Sequence, residues 1–161
     1  MPSGKTHTRI DLFLLVIILG FAWYFWSSLT EFFGRDEMAE YGIVFVVAYL
    51  FGTFLLSPDM DLNTSEPMKN WGVLRLLWDP YARVFKHRGL SHMPIVGTLT
   101  RVVYILIVVY ALSAVANAFF DLGWKMSFRK IDRNAIFWGL VGLCLPDLFH
   151  ILADHLFKNA R

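Results

Sequence analysis

Residues 135–153 read AIFWGLVGLCLPDLFHILA, and Asp154 and His155 follow directly. An apolar run of this length crosses the roughly 30 Å hydrocarbon core of a bilayer as a helix, yet its later part carries Asp147 and His150. Ionisable groups at such a depth are costly and persist where they have a function. On a helix turning about 100° per residue, Asp147, His150 and Asp154 stand at about 0°, 300° and 340°, a single stripe, whereas His155 at about 80° lies off it. The stretch therefore reads as a membrane helix that ends in a ligand-bearing face.

The rest of the chain supports that setting. Hydrophobic residues make up 57% of the sequence and aromatics 17%, and the mean hydropathy of +0.50 lies far above that of an ordinary soluble domain. Three further runs, 12–30, 41–57 and 102–120, are long enough to span and carry no charge. The first follows Lys5 and Arg9 as a secretory signal does. It is too long, however, ends in Trp23, Tyr24, Phe25 and Trp26, and lacks a small-residue cleavage site, so it reads as a retained helix. The one cysteine, Cys144, excludes an intramolecular disulfide and reads as a small packing residue. With no internal repeat and no low-complexity linker, residues 1–161 read as one integral membrane domain. The fold class expected is an all-α membrane protein with four transmembrane helices.

Charge sets the orientation. With the N-terminus in the cytoplasm, that side collects Lys5, Arg9, Lys69, Arg75, Arg83, Lys86, Arg88, Arg101, Lys158 and Arg161, against Arg35, Lys125, Arg129, Lys130 and Arg133 outside. The bias favours cytoplasmic termini. Basic residues flanking membrane helices also account for the net charge of +2, so no nucleic-acid partner is implied.

All five histidines fall inside three short polar clusters (His7; SPDMD at 57–61 followed by HRGLSH at 87–92; PDLFHILADH at 146–155) that also hold the chain's most unusual acids, and imidazole with carboxylate is a ligand set for divalent metals. His7 precedes the first run, Asp59 and Asp61 follow the second, HRGLSH at 87–92 lies before the third, and Asp147 to His155 end the fourth. Four spans put all of these on one face of the membrane, whichever side that is. A single shared site is the economical reading, with His7, Asp59, Asp61, His87, His92, Asp147, His150 and Asp154 as candidate ligands. Pro58 stops the second helix, and in an extended segment Asp59 and Asp61 point the same way, although Asp-x-Asp is also common in plain turns. Gly89 lets the chain bend so that His87 and His92 both face inward. Arg88 between them reads equally as a clamp for phosphate or carboxylate and as a counter-charge to the acids.

Between the second and third runs, Trp71, Leu74, Trp78, Tyr81 and Phe85 recur at spacings of three and four among Arg75, Arg83 and Lys86. This is the pattern of an amphipathic interfacial helix lying along the headgroups, either flooring the site or serving as an anchor. Asp79 is expected to cap its restart, with Pro80 in the first turn. SGKT at 3–6 lacks the upstream glycine and strand of a phosphate-binding loop, and the Asn63-Thr64-Ser65 glycosylation pattern is idle on a cytoplasmic loop.

The order His7, PDMD at 58–61, HRGLSH and HILAD at 150–154 resembles the membrane-bound metal-dependent hydrolases of bacteria and archaea, among them the LexA-regulated inner-membrane proteins with their PDxDH, HRGxTHS and HILAD segments. The opening MPSGKTH and the stretch WGVLRLLWDPYARVFKHRGLSH are similar to a branch of uncharacterised metal-binding proteins. The resemblance spans nearly the whole chain. It implies metal-site roles for His7, Asp59, Asp61, His87, His92, His150 and Asp154, and a prokaryotic inner membrane. Leu62 stands where the related motif often has histidine, and Asp147 and His155 are extra, which leaves the number of metals open. The closing His-x-x-x-Asp is also similar in style to the zinc-dependent phospholipases C and nucleases.

Two function classes follow. One is a metal-dependent hydrolase of a phosphate ester or phospholipid at the cytoplasmic interface, with membrane lipid and an amphiphilic substrate as partners. In it Arg88 holds the anion and Asp61 is the spare carboxylate acting as general base. The other is a non-catalytic metal-binding membrane protein, a sensor or a metal-stapled scaffold. Zinc is the expected ion, and mixed imidazole and carboxylate ligation also accommodates manganese or iron.

Overall fold

The computed structural model describes residues 4–62, 65–85, 93, 95–124 and 132–158, with the backbone alone at Asp61 and Lys158. Four helices are long and apolar enough to cross a membrane: α1 (Gly4–Tyr24), α3 (Arg35–Leu55), α6 (Val96–Phe120) and α7 (Arg133–Lys158). At 1.5 Å per residue the 21 residues of α1 and of α3 rise about 31 Å, the thickness of a hydrocarbon core. A short α2 (Trp26–Phe33) follows α1, and Gly34 turns the chain into α3. After α3 come a 3-10 turn (Pro58–Asp61), α4 (Glu66–Asn70), a 3-10 segment (Gly72–Trp78) and α5 (Asp79–Val84). No strand occurs among the described residues.

All four helices start or end outside the apolar runs that announce them. The first run, 12–30, is divided: α1 begins at Gly4, taking Thr6 to Asp11 into the helix, and the chain bends at Phe25. Backbone bonds from Phe25 N to Phe21 O and from Leu29 N to Phe25 O carry the i to i−4 pattern across the bend. Hydropathy locates the apolar stretch, but the backbone goes on bonding through polar residues that tolerate helix.

α3 and α7 run parallel in close contact. Gly139 faces Val44, Gly142 faces Phe45 and Tyr49, and Gly52 faces Leu143 and Pro146. A Cβ on Gly142 would sit 2.5 Å from the Phe45 carbonyl oxygen, so only glycine lets the two backbones approach this far. Small residues at the crossing are how helices in lipid gain packing without a hydrophobic drive between them. α1 runs antiparallel to α7 and contributes Leu15 to a core with Phe45 and Tyr49, against which Trp138, Leu145 and Phe149 pack. The Tyr49 hydroxyl donates to the Asp11 carbonyl at 2.8 Å. At the far end the Tyr41 hydroxyl donates to Asp132 at 2.5 Å, joining α3 to the start of α7 and holding the Asp132 carboxyl below its usual range.

α6 is different. None of the residues in its most apolar stretch is buried. It joins the bundle through its first turns, where Thr98 and Arg101 are buried and Tyr104 packs on the segment before it.

That segment departs from the single amphipathic helix expected. Gly72 at φ +54 ends the α4 phase, a 3-10 segment follows, and α5 starts afresh. The cap position of α5 is taken by Trp78, with Asp79 already inside the helix and Pro80 in its first turn. The aromatic spacing instead gathers Trp78, Tyr81 and Tyr104 in mutual ring contact over buried Met60 and Met68. Asn70 Nδ2 and Trp71 Nε1 donate to the Phe54 and Leu55 carbonyls at 2.9 and 2.8 Å, satisfying acceptors that the end of α3 leaves without helical partners. The segment thus clamps the end of α3, and it fixes where Pro58 to Asp61 emerges.

Candidate metal centre

The site is assembled where α1 begins and where α3 and α7 end. His7 lies in the first turn of α1, His150 and Asp154 are one turn apart near the end of α7, and Asp59 stands in the 3-10 turn after α3. That turn replaces the extended strand-like geometry expected for Asp59 and Asp61, because Pro58 opens a helical turn in which Leu62 N bonds to Asp59 O. The antiparallel run of α1 and α7 stacks the His7 and His150 rings, with centroids 3.8 Å apart and an interplanar angle of 22°. His7 Nε2 lies 3.1 Å from Asp154 Oδ1, and His150 Nε2 lies 3.6 Å from Asp59 Oδ2.

These groups fit a divalent ion. One ligand atom each from His7, His150 and Asp154 lie within 4.8 Å of one another. Ligand atoms around a tetrahedral ion with bonds of about 2.1 Å stand about 3.4 Å apart, within reach of small side-chain rotations. Both imidazoles are buried, and His7 Nδ1 has no hydrogen-bond partner among the described residues. A buried imidazole nitrogen without a partner is costly, and coordination would relieve it.

One turn deeper lies a second polar layer. Asp147, 2% exposed, accepts from both Arg101 Nη2 and Thr98 Oγ1 through its Oδ2, while its Oδ1 has no partner. Arg101 is 0% exposed, so it is not the loop cation that the charge count made of it. It faces inward because Asp147 on α7 offers a carboxylate at its own depth. Asp11 on α1 is also buried, one turn after His7, with Oδ1 unpartnered.

The sequence candidates therefore divide. His7, Asp59, His150 and Asp154 come together, Asp147 stands behind them with one oxygen committed to Arg101 and Thr98, and His155 is exposed. His87, Arg88 and His92, and the side chain of Asp61, lie outside the described residues. Sequence reasoning missed Asp11, Arg101 and Thr98. Asp11 carried a signal: His7-x-x-x-Asp11 repeats the His150-x-x-x-Asp154 spacing, and i, i+4 residues share a helix face. Arg101 carried none, since its partner is remote in sequence.

The family model described as uncharacterized metal-binding protein (DUF2227) matches residues 2–161. An uncharacterized protein of Aquifex aeolicus (strain VF5) is similar to this chain, 35% identical over an alignment covering 71% of this chain and 90% of that protein. No solved structure matches the chain.

Proposed function

Because the chain belongs to the uncharacterized metal-binding protein family DUF2227, we propose that it is an integral protein of a prokaryotic inner membrane that uses a bound divalent ion to hydrolyse a phosphate-containing amphiphile. The observation that carries the metal half of this reading is the convergence of His7, His150 and Asp154 from opposite ends of the chain. The membrane half is supported by four spans of bilayer length and by the large apolar side chains exposed along α6, such as Val109, Leu112 and Val115. Exposed Val73, Leu76 and Val84 beside Arg75 and Arg83 suit a segment lying at the headgroups, on the side that the basic residues assign to the cytoplasm.

Zinc is the ion this ligand set favours, with manganese or iron as close alternatives. When bound, such an ion supplies Lewis acidity and lowers the pKa of water toward neutrality. The chain's own residues do the rest. His7, His150 and Asp154 hold the ion, and Asp59 stands against His150. Arg88 holds the substrate anion, and Asp61 accepts a proton from the attacking water. His87 and His92 complete the ligand set. Whatever tail the substrate has stays in lipid while its head reaches the site. This role is also what the resemblance to the LexA-regulated hydrolases suggests.

One observation favours the second reading, a metal-stapled scaffold or sensor. His7 and His150 are 5% and 4% exposed, and a closed shell of ligands serves structure where an open one serves catalysis. The test is metal-dependent turnover of a panel of phospholipids, lipid phosphates and soluble phosphoesters in vesicles. The hydrolase reading expects turnover of a lipid substrate that falls at least tenfold in Arg88→Ala and Asp61→Ala. No turnover by the fully loaded protein, or turnover that survives removal of the metal, leaves the scaffold reading in its place.

A further inference from the structure

The layer beneath the stacked imidazoles holds two buried carboxylates that the proposed single-ion centre does not use. α1 runs inward from the site and α7 runs outward to it, so Asp11, one turn after His7, and Asp147, one turn before His150, both lie one turn deeper than the His7–His150 stack. Asp11 is 4% exposed and Asp147 2%. Each keeps one oxygen, Oδ1, without a hydrogen-bond partner among the described residues. The two carboxylates are within electrostatic range of each other, and both feel His150. Arg101 and Thr98 bond the other oxygen of Asp147, which fixes the orientation of that carboxylate and leaves Oδ1 to point elsewhere. The Tyr49 hydroxyl, on the neighbouring α3, is spent on the Asp11 carbonyl and does nothing for its carboxylate.

Two buried carboxylates at the same depth repel when both are charged, and the Arg101 guanidinium is bonded to Asp147. A cation beside Asp11 and Asp147 would let both stay ionised. We propose that Asp11 and Asp147 hold a second divalent cation, one helix turn below the ion of His7, His150 and Asp154, making the centre dinuclear. The inference rests on the single-ion reading above and adds a position to it. The inner position offers carboxylate oxygens, the donor set of a hard cation such as magnesium or manganese, whereas the outer one is richer in imidazole. Thr53 Oγ1, also buried and without a partner, lies one turn beyond Tyr49 on α3 and is a further oxygen at this end of the bundle.

The probe is manganese alone, titrated into metal-free protein purified in detergent, read by elemental analysis and by electron paramagnetic resonance. The wild type should bind two ions per chain and give the broadened spectrum of a spin-coupled pair. Asp11→Asn, nearly the same shape without the charge, should bind one ion with an uncoupled six-line spectrum, the inner affinity falling at least tenfold. One ion per chain at saturation in the wild type overturns the proposal, as does an Asp11→Asn protein that still holds a coupled pair. In the first case a single ion lost in His7→Ala but kept in Asp11→Asn leaves the outer centre standing, and a proton shared between the carboxylates takes the inner cation's place; in the second the pair is held by residues other than Asp11. Absence of any bound manganese, zinc or iron from the wild type would instead remove the outer centre and the inner one together. Should Asp11→Asn fail to fold, the stoichiometry and spin coupling of the wild type decide alone.

Discussion

His7, in the first turn of the first helix, and His150, near the end of the last, lie face to face with ring centroids 3.8 Å apart. The contact joins the two ends of the chain through the antiparallel packing of α1 against α7, and it places Asp154 3.1 Å from His7 on its outer side. A metal seated there would tie the first helix to the last.

Removing that tie should therefore cost stability. An ion that binds only the folded state adds about 2.7 kcal/mol when present at a hundred times its dissociation constant. Chelation is expected to lower the unfolding temperature in detergent by several degrees in the wild type and by clearly less in His7→Ala, which lacks the outer ion. The check is thermal unfolding with and without chelator. Equal shifts in the two proteins would show that the chelator acts elsewhere.

The Arg101–Asp147 pair is buried on both sides, and removing one member of such a pair strands the other. Arg101→Leu is expected to destabilise the protein by about 3–5 kcal/mol. Arg101→Lys, which keeps the charge but not the planar fork, should fall between it and the wild type. Urea or thermal unfolding in detergent reads the order. A wild-type midpoint for Arg101→Leu would mean that the pair contributes nothing.

At the α3–α7 crossing, Gly142→Ala should cost about 1–3 kcal/mol by overpacking, because its Cβ meets backbone at 2.5 Å. Gly42→Ala, on the α3 side with nothing within 4 Å of its Cβ, should be neutral or slightly stabilising through better helix propensity. Measuring the two side by side separates packing from propensity. Equal effects would argue against the close crossing.

How far the sequence could be read depended on how local each signal was. Bilayer-length apolar runs such as 102–120 are local, and each of the four lies mostly within one of the long helices. The stripe of His150 and Asp154 was equally legible because it needs only helical periodicity. Helix ends were not legible, since Thr6 to Asp11 extend α1 beyond its apolar part, and this hid Asp11. Arg101 was opaque for another reason: a basic residue next to an apolar run looks the same whether it reaches the headgroups or turns inward to a carboxylate on a helix far along the chain. The aromatic spacing from Trp71 to Phe85 did report ring packing, but Gly72 at φ +54 breaks the helix that the spacing suggests.

The central claim is that His7, His150 and Asp154 hold a divalent ion, and metal content of the purified protein tests it most directly. Elemental analysis should find at least one divalent ion per chain in the wild type. His7→Ala and His150→Ala, inserted and folded to the same extent, should lose most of the outer ion, with affinity down at least tenfold. Full occupancy in both variants would contradict the account.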